Sequence, residues 1–203
     1  SSTHRHPIIC PLKETAAISL TSMDEMDRWS QKYIGQDFNS TEMRKLLIRA
    51  TFQQAREDGV TVLEIGEDVW GLNEFFHNDI DELVNAFTSA QKEIASGMEL
   101  RLQIGLSRHC PISYLEDCLS HFWGNKNFYS IDLYGDELAQ PIENFKGIYR
   151  RAKKEGLRLK AHVGEWGTAK DVRTAVEELE LDEVQHGIAA ADDESVIRFL
   201  ADH

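Results

Sequence analysis

Apolar and polar positions alternate along this chain in two rhythms, and the rhythms themselves take turns. In "LRLKAHV", 157–163, Leu157, Leu159, Ala161 and Val163 interleave with Arg158, Lys160 and His162, the period of two that marks an extended strand. "LRLQIGL", 100–106, repeats that rhythm. "VTVLEIG" (60–66), "FYSIDLYG" (128–135) and "EVQHGI" (183–188) are short strand-like runs, giving five predicted strands.

Between the strands the period lengthens. Met43, Leu46, Leu47 and Ala50 follow helical spacing, with Asn39 and Glu42 resembling a capping box and Gly59 as the stop. Ile80, Leu83, Val84 and Phe87 predict a helix over 79–97, and Leu115, Cys118, Leu119 and Phe122 one that ends near Gly124. Ile142, Phe145, Ile148, Tyr149 and Ala152 predict another, stopped by Gly156. Thr168 and Asp171 cap a helix whose face is Ala169, Val172, Val176 and Leu179, and 192–201 is the last. Residues 1–38 read as irregular apart from a short helix in "MDEMDRWSQKYI", so a single domain over 1–203 is expected, with βα repeats filling 39–203.

Strands that each precede a helix, without hairpin turn signals, imply right-handed crossovers and a parallel sheet. Such a sheet stays open and doubly wound or closes into a TIM (β/α)8 barrel. The lack of a Gly-rich phosphate loop after the first strand weakens the nucleotide-binding alternative.

Composition narrows the partners. An apolar fraction of 41% with 28% charged residues is that of a soluble globular protein. A net charge of -13 argues against a general nucleic-acid binder, which gains affinity by neutralising phosphates with Lys and Arg. It suits a small neutral or cationic substrate better than a polyanion. No apolar run reaches the roughly 20 residues that span a bilayer, and "SSTHRHPIICPL" has no apolar core of signal-peptide length. Cys10, Cys110 and Cys118 show no C-x-x-C spacing and read as reduced structural thiols, which fits a cytoplasmic protein. The chain starts at Ser1-Ser2, as a fragment would.

In either parallel architecture the chemistry gathers at the carboxyl ends of the strands. Those ends carry Glu64, Glu67 and Asp68; Arg108 and His109; Asp132, Asp136 and Glu137; His162 and Glu165; and His186. Arg101, Gln103, Arg158 and Lys160 share the phase opposite to the leucines, the phase of a barrel lumen. Buried cations need partners, so at least one lumen ion pair is expected, with Glu64 or Asp132 as the acid; solvation on an edge strand is the alternative. His162 at a strand end is placed as a metal ligand. A catalytic zinc takes about three protein ligands and lowers the pKa of its water to roughly 7. Glu165 would stand beside it as a proton donor or acceptor and His186 would orient or deprotonate the water. A capping glutamate and two hydrogen-bonded core histidines explain the same residues, and their chemistry alone leaves both open.

Three motifs in order on successive strands resemble the adenosine deaminase family of metal-dependent aminohydrolases: "SIDLYGDE" (130–137), "HVGE" (162–165) and "QHG" (185–187). The family reads D-L-x-G-x-E, H-A-G-E and G-H-G there, and the similarity runs from about Thr41 to His203 with "TFQQAREDGVTVLEI" also typical. The resemblance implies a TIM (β/α)8 barrel of the metal-dependent hydrolases, zinc as cofactor, and hydrolytic removal of an amino group from a purine nucleoside or base. It implies that His162 binds zinc, Glu165 protonates the ring nitrogen next to the attacked carbon, and His186 acts on the zinc water. Gly135 would offer its N–H to another ring nitrogen, where a side chain would block the approach, and Asp132 would support the metal ligand. Val163 and Gln185 depart from the usual alanine and glycine, which bears on substrate range. The H-x-E…P-C-x-x-C pattern of cytidine-type deaminases is absent from the sequence.

The family's H-x-H pair on the first strand and its later zinc-binding aspartate have no strand-borne match here. His4-Arg5-His6 imitates the spacing, but Pro7 follows and no apolar strand precedes it. The chain therefore resembles strands two to six of eight, either cut from a longer protein or, as the alternative, a decayed relative. Two other functions stay in competition: an amidohydrolase acting on another purine or amide, and a non-catalytic partial barrel that only binds.

Overall fold

The computed structural model describes residues 22–33 and 40–203. His4, His6, Cys10 and Asn39 lie outside that range. Helix α1 is Met23–Tyr33 and α2 is Thr41–Glu57. The cap of α2 is Ser40, whose hydroxyl accepts from the Met43 N–H at 3.2 Å. Then follow β1 (Val62–Asp68), α3 (Val69–Phe76), α4 (Ile80–Ile94), β2 (Glu99–Ser107), α5 (Ile112–Leu119) and β3 (Phe128–Tyr134). A 3-10 turn, Ile142–Phe145, leads into α6 (Lys146–Glu155), then come β4 (Arg158–Val163), α7 (Ala169–Leu179), β5 (Glu183–His186) and α8 (Glu194–Asp202).

Helix ends follow local chemistry. Thr168 and Asp171 form the expected capping box on α7, and Gly156 ends α6 with the positive φ that glycine adopts without steric cost. Helix α3 is the element absent from the expectation above. Asp68 caps it through the Trp70 N–H, and Val69, Leu72, Phe75 and Phe76 are buried. Only two turns long and fused to the strand before it, α3 shows too little period to stand out from the apolar run.

All neighbouring strands pair in parallel, in the spatial order β1-β2-β3-β4-β5. Chain order and spatial order coincide, so the sheet winds in one direction, as a barrel does. It also curls. Strands β1 and β4 are three positions apart, roughly 14 Å in a flat sheet, yet Lys160 Nζ reaches Glu64 Oε1 at 2.9 Å. Five strands thus form a curled half-barrel with helices outside.

The two phases of each strand divide as expected. Leu102, Ile104, Leu106, Ile131, Leu133, Leu159, Ala161 and Val163 face the helices, against a core that includes Phe52, Leu83, Phe87, Leu115, Phe145, Ile148 and Val172. Burial of each large side chain contributes about 1.5–3 kcal/mol. The opposite phase is polar. Lys160, 6% exposed, donates to Glu64 and to Gln103 Oε1 at 3.0 Å. Ser130 Oγ donates to Glu64, and Gln103 Nε2 donates to Asp132 Oδ2 at 3.1 Å. The expected lumen ion pair is therefore Lys160–Glu64. Arg101 and Arg158 instead sit at the opposite, amino-terminal rim, where Arg101 pairs with Glu99 at 2.7 Å and Arg158 with Glu183 at 3.0 Å. No described helix is long and apolar enough to cross a membrane.

Candidate active site

The polar ladder in the lumen leads upward to the carboxyl ends of β3, β4 and β5. Asp132 and His162 share the inward phase, and Asp132 Oδ1 stands 3.3 Å from His162 Nδ1. Both atoms are buried and within ion-pair distance, although neither makes a hydrogen bond. Burial pulls the His162 pKa down, but the Asp132 carboxylate, the Leu133 carbonyl and Glu165 outweigh it and hold it above the ordinary value. With Nδ1 facing the carboxylate, Nε2 is the nitrogen left for a ligand, as when a carboxylate backs a metal-binding imidazole.

His186 arrives by a different route. Alternation along β5 gives the inward phase to Gln185, the register partner of His162. His186 itself has φ 63°, a left-handed conformation uncommon for a non-glycine residue, and Gly187 follows at φ 65°. The turn brings the imidazole rings of His186 and His162 to 5.1 Å between centroids. Glu165, on the loop after β4, places Oε2 3.3 Å from His186 Nε2. One acid–imidazole contact thus faces another, Asp132 behind His162 and Glu165 beside His186.

Gly135 follows β3 at φ +90°. A Cβ there would lie 3.6 Å from His109 Nδ1, an ordinary contact, so it is the backbone conformation that calls for glycine at this point. The same distance puts His109 beside Gly135.

The other strand-end groups separate. Glu67 turns toward α2, with Arg44 Nε 3.7 Å away. Asp68 is 3% exposed and accepts hydrogen bonds from the Ser107 hydroxyl and, at 2.7 Å, from Tyr134. Burial pushes the Asp68 carboxyl up, against those hydroxyls. Arg108 is buried with its Nε donating to the Gln140 carbonyl, and Asp136 caps the Leu138 N–H. Burial raises the Cys110 and Cys118 thiols, in keeping with unreactive side chains.

Glu137 is the residue whose part the strand-end pattern did not reveal. Its carboxylate, 5% exposed, accepts the N–H groups of Glu165 at 3.2 Å, Trp166 at 3.1 Å and Gly167. Its place as the last letter of D-L-Y-G-D-E was the available signal.

A cavity of about 510 Å³ lies elsewhere, between α2 and α4, and includes the Lys45–Glu82 ion pair. The convergent residues line the concave face of the half-barrel instead. Among the described residues no set of three or more His, Cys, Asp or Glu is arranged to hold a metal ion. His162, with buried Asp132 behind it, fits a share of a metal's ligand shell and not the whole of it.

Residues 16–203 match the family model described as adenosine deaminase. A putative adenosine/adenine deaminase of Treponema pallidum is 33% identical over 183 residues, covering 90% of this chain and 61% of that protein. An adenine deaminase of Rhodospirillum rubrum is 32% identical over 164 residues, covering 76% and 47%. Among solved structures, an adenine deaminase of Arthrobacter aurescens superposes with a TM-score of 0.70 at 23% identity, covering 95% of this chain and 64% of that one. A zinc-bound amidohydrolase of Burkholderia ambifaria superposes with a TM-score of 0.74 at 20% identity, covering 98% and 59%. The chain spans about half to two-thirds of the length of these proteins. With three motifs in order on a one-way-wound half-barrel and a family match over nearly its whole length, this chain belongs to the adenosine deaminase family.

Proposed function

We propose that the polypeptide containing this chain hydrolytically removes the amino group of an adenine-type purine, adenosine or adenine, as a zinc enzyme. The observation that carries this reading is the convergence of Asp132, His162, His186 and Glu165 at one end of three neighbouring strands. The chemistry needs a group to take a proton from water, a group to give one to the ring, and a place for a metal.

His162 would hold the metal through Nε2, with Asp132 fixing its ring. When bound, such an ion lowers the pKa of a water to about 7. His186 accepts the proton of the attacking water, and the Glu165 carboxyl donates to the ring nitrogen beside the attacked carbon. Water adds its oxygen to the carbon that bears the amino group; His186 passes the water's proton to the amino nitrogen, that carbon–nitrogen bond breaks, ammonia leaves, and the hydroxyl proton of the adduct returns to Glu165 as the new carbonyl forms. The 3.3 Å contact of Glu165 and His186 puts the two groups at one mouth, on the open concave side where a ring and a water would meet them. Gly135 offers its N–H to a second ring nitrogen. Val163 and Gln185 flank these positions and bear on which purine fits.

Ammonia release by the complete polypeptide from adenosine, adenine and deoxyadenosine tests the proposal. Release from none of them, with no zinc bound, would leave the binding-only reading standing. Activity on a different amide alone would favour the amidohydrolase reading. Asp132→Asn is expected to weaken metal affinity about 10–100-fold, read by competition with a chelator. Unchanged affinity would remove Asp132 from the support of His162.

A further inference from the structure

Glu137 is a buried acid that the proposed reaction leaves unused. Its two oxygens collect three consecutive backbone N–H groups, those of Glu165, Trp166 and Gly167. Successive N–H groups that converge on one anion form an anion-binding nest, and here the protein's own side chain fills it. Hydrogen bonds to a charged acceptor are roughly twice as strong as neutral ones. A Cβ on residue 167 would lie 2.5 Å from Glu137 Oε1, so a side chain there would push the carboxylate out of its present place against the loop. Buried Arg108 supplies a favourable electrostatic partner, since Glu137 and Asp171 both stabilise its cation against the pull of burial.

Glu165, whose position this loop determines, has a side chain 37% exposed, too open for packing alone to fix it. We infer that Glu137 is the positioning residue for Glu165. By gripping the loop through its backbone, it sets where the Glu165 carboxyl stands relative to His186. The inference rests on the proton-donor reading of Glu165 given above.

In the complete, metal-loaded polypeptide, Glu137→Gln is expected to lower kcat on the order of 10²-fold. KM should stay within about threefold, and metal content should not change, because the lost interaction bears on the transition state. A residue that acts through Glu165 has nothing further to lose once Glu165 is neutralised. Adding Glu137→Gln to Glu165→Gln should therefore leave the residual turnover unchanged.

Wild-type kcat in Glu137→Gln would overturn the inference, and so would a double variant that loses the product of the two single factors. Gly167→Ala disturbs the same contact from the loop side and serves if Glu137→Gln does not fold; wild-type kcat there would overturn it equally. Amide exchange at 165–167 gives a readout separate from turnover. Faster exchange in Glu137→Gln is expected, and unchanged exchange refutes the grip whether or not any purine is deaminated. Failure of the wild type on every purine would instead count against the proposed function.

Discussion

Glu165→Gln is expected to reduce kcat by about 10³–10⁴-fold while the metal stays bound, the upper part of the range for a lost general acid. The amide has the shape of the acid, so the loop and the contact with His186 are kept, and Glu137 still grips the backbone N–H groups of 165–167. What is lost is a proton deliverable to a ring nitrogen at neutral pH. Metal content should hold because the donor set centres on His162, which lies on β4 and is backed by Asp132 on β3, not by the loop. His162→Ala is the contrasting change: it should lose the metal and with it the turnover. The two variants together separate proton donor from ligand by pairing steady-state rates with metal analysis. Wild-type turnover in Glu165→Gln would eliminate the proposed acid, and loss of metal in that variant would reassign it as a ligand.

The second large effect concerns the lumen. Lys160→Met should destabilise the protein by about 3–5 kcal/mol, the cost of breaking a buried pair and stranding the other charge. Glu64 would retain the Ser130 hydroxyl but lose its ammonium partner, and Gln103 would lose one of the groups that orient it toward Asp132. Because Asp132 stands behind His162, metal affinity should fall alongside stability. Combining Lys160→Met with Glu64→Leu removes both charges together and should recover most of the loss. Urea unfolding of the complete polypeptide would measure both, and a single variant within about 0.5 kcal/mol of wild type would show the pair to be dispensable.

Burial at the top of the half-barrel explains why these groups act as a set. Asp68, Asp132 and Glu137 are each 5% exposed or less, and each has polar groups of the protein around it in place of water. Asp68 fixes the Tyr134 ring, whose centroid lies 6.0 Å from that of His162. The site is thus framed by carboxylates that have structural partners, leaving His186 and Glu165, each about one-third exposed, facing the open concave side.

Much of this architecture was legible in the sequence by itself. Two period-two runs and three short strand-like runs placed all five strands, and Thr168 with Asp171 and the glycine at 156 marked helix ends, because caps and periods are local and depend on residues a few positions apart. The opposite phases of Leu159 and Lys160 told which face meets the helices, since an unpaired ammonium cannot lie among leucines. Tertiary structure alone decided which acid meets which cation. Lys160 finds Glu64 across 96 positions of sequence, and Arg158, on the same strand and phase, pairs at the rim with Glu183. It also decided the place of His186: simple alternation assigns the inward phase to Gln185, and the left-handed turn at 186 brings the imidazole back beside His162. The grip of Glu137 on residues 165–167 was equally hidden, because a carboxylate that binds backbone N–H groups leaves no side-chain signature in its partners beyond the missing Cβ of Gly167.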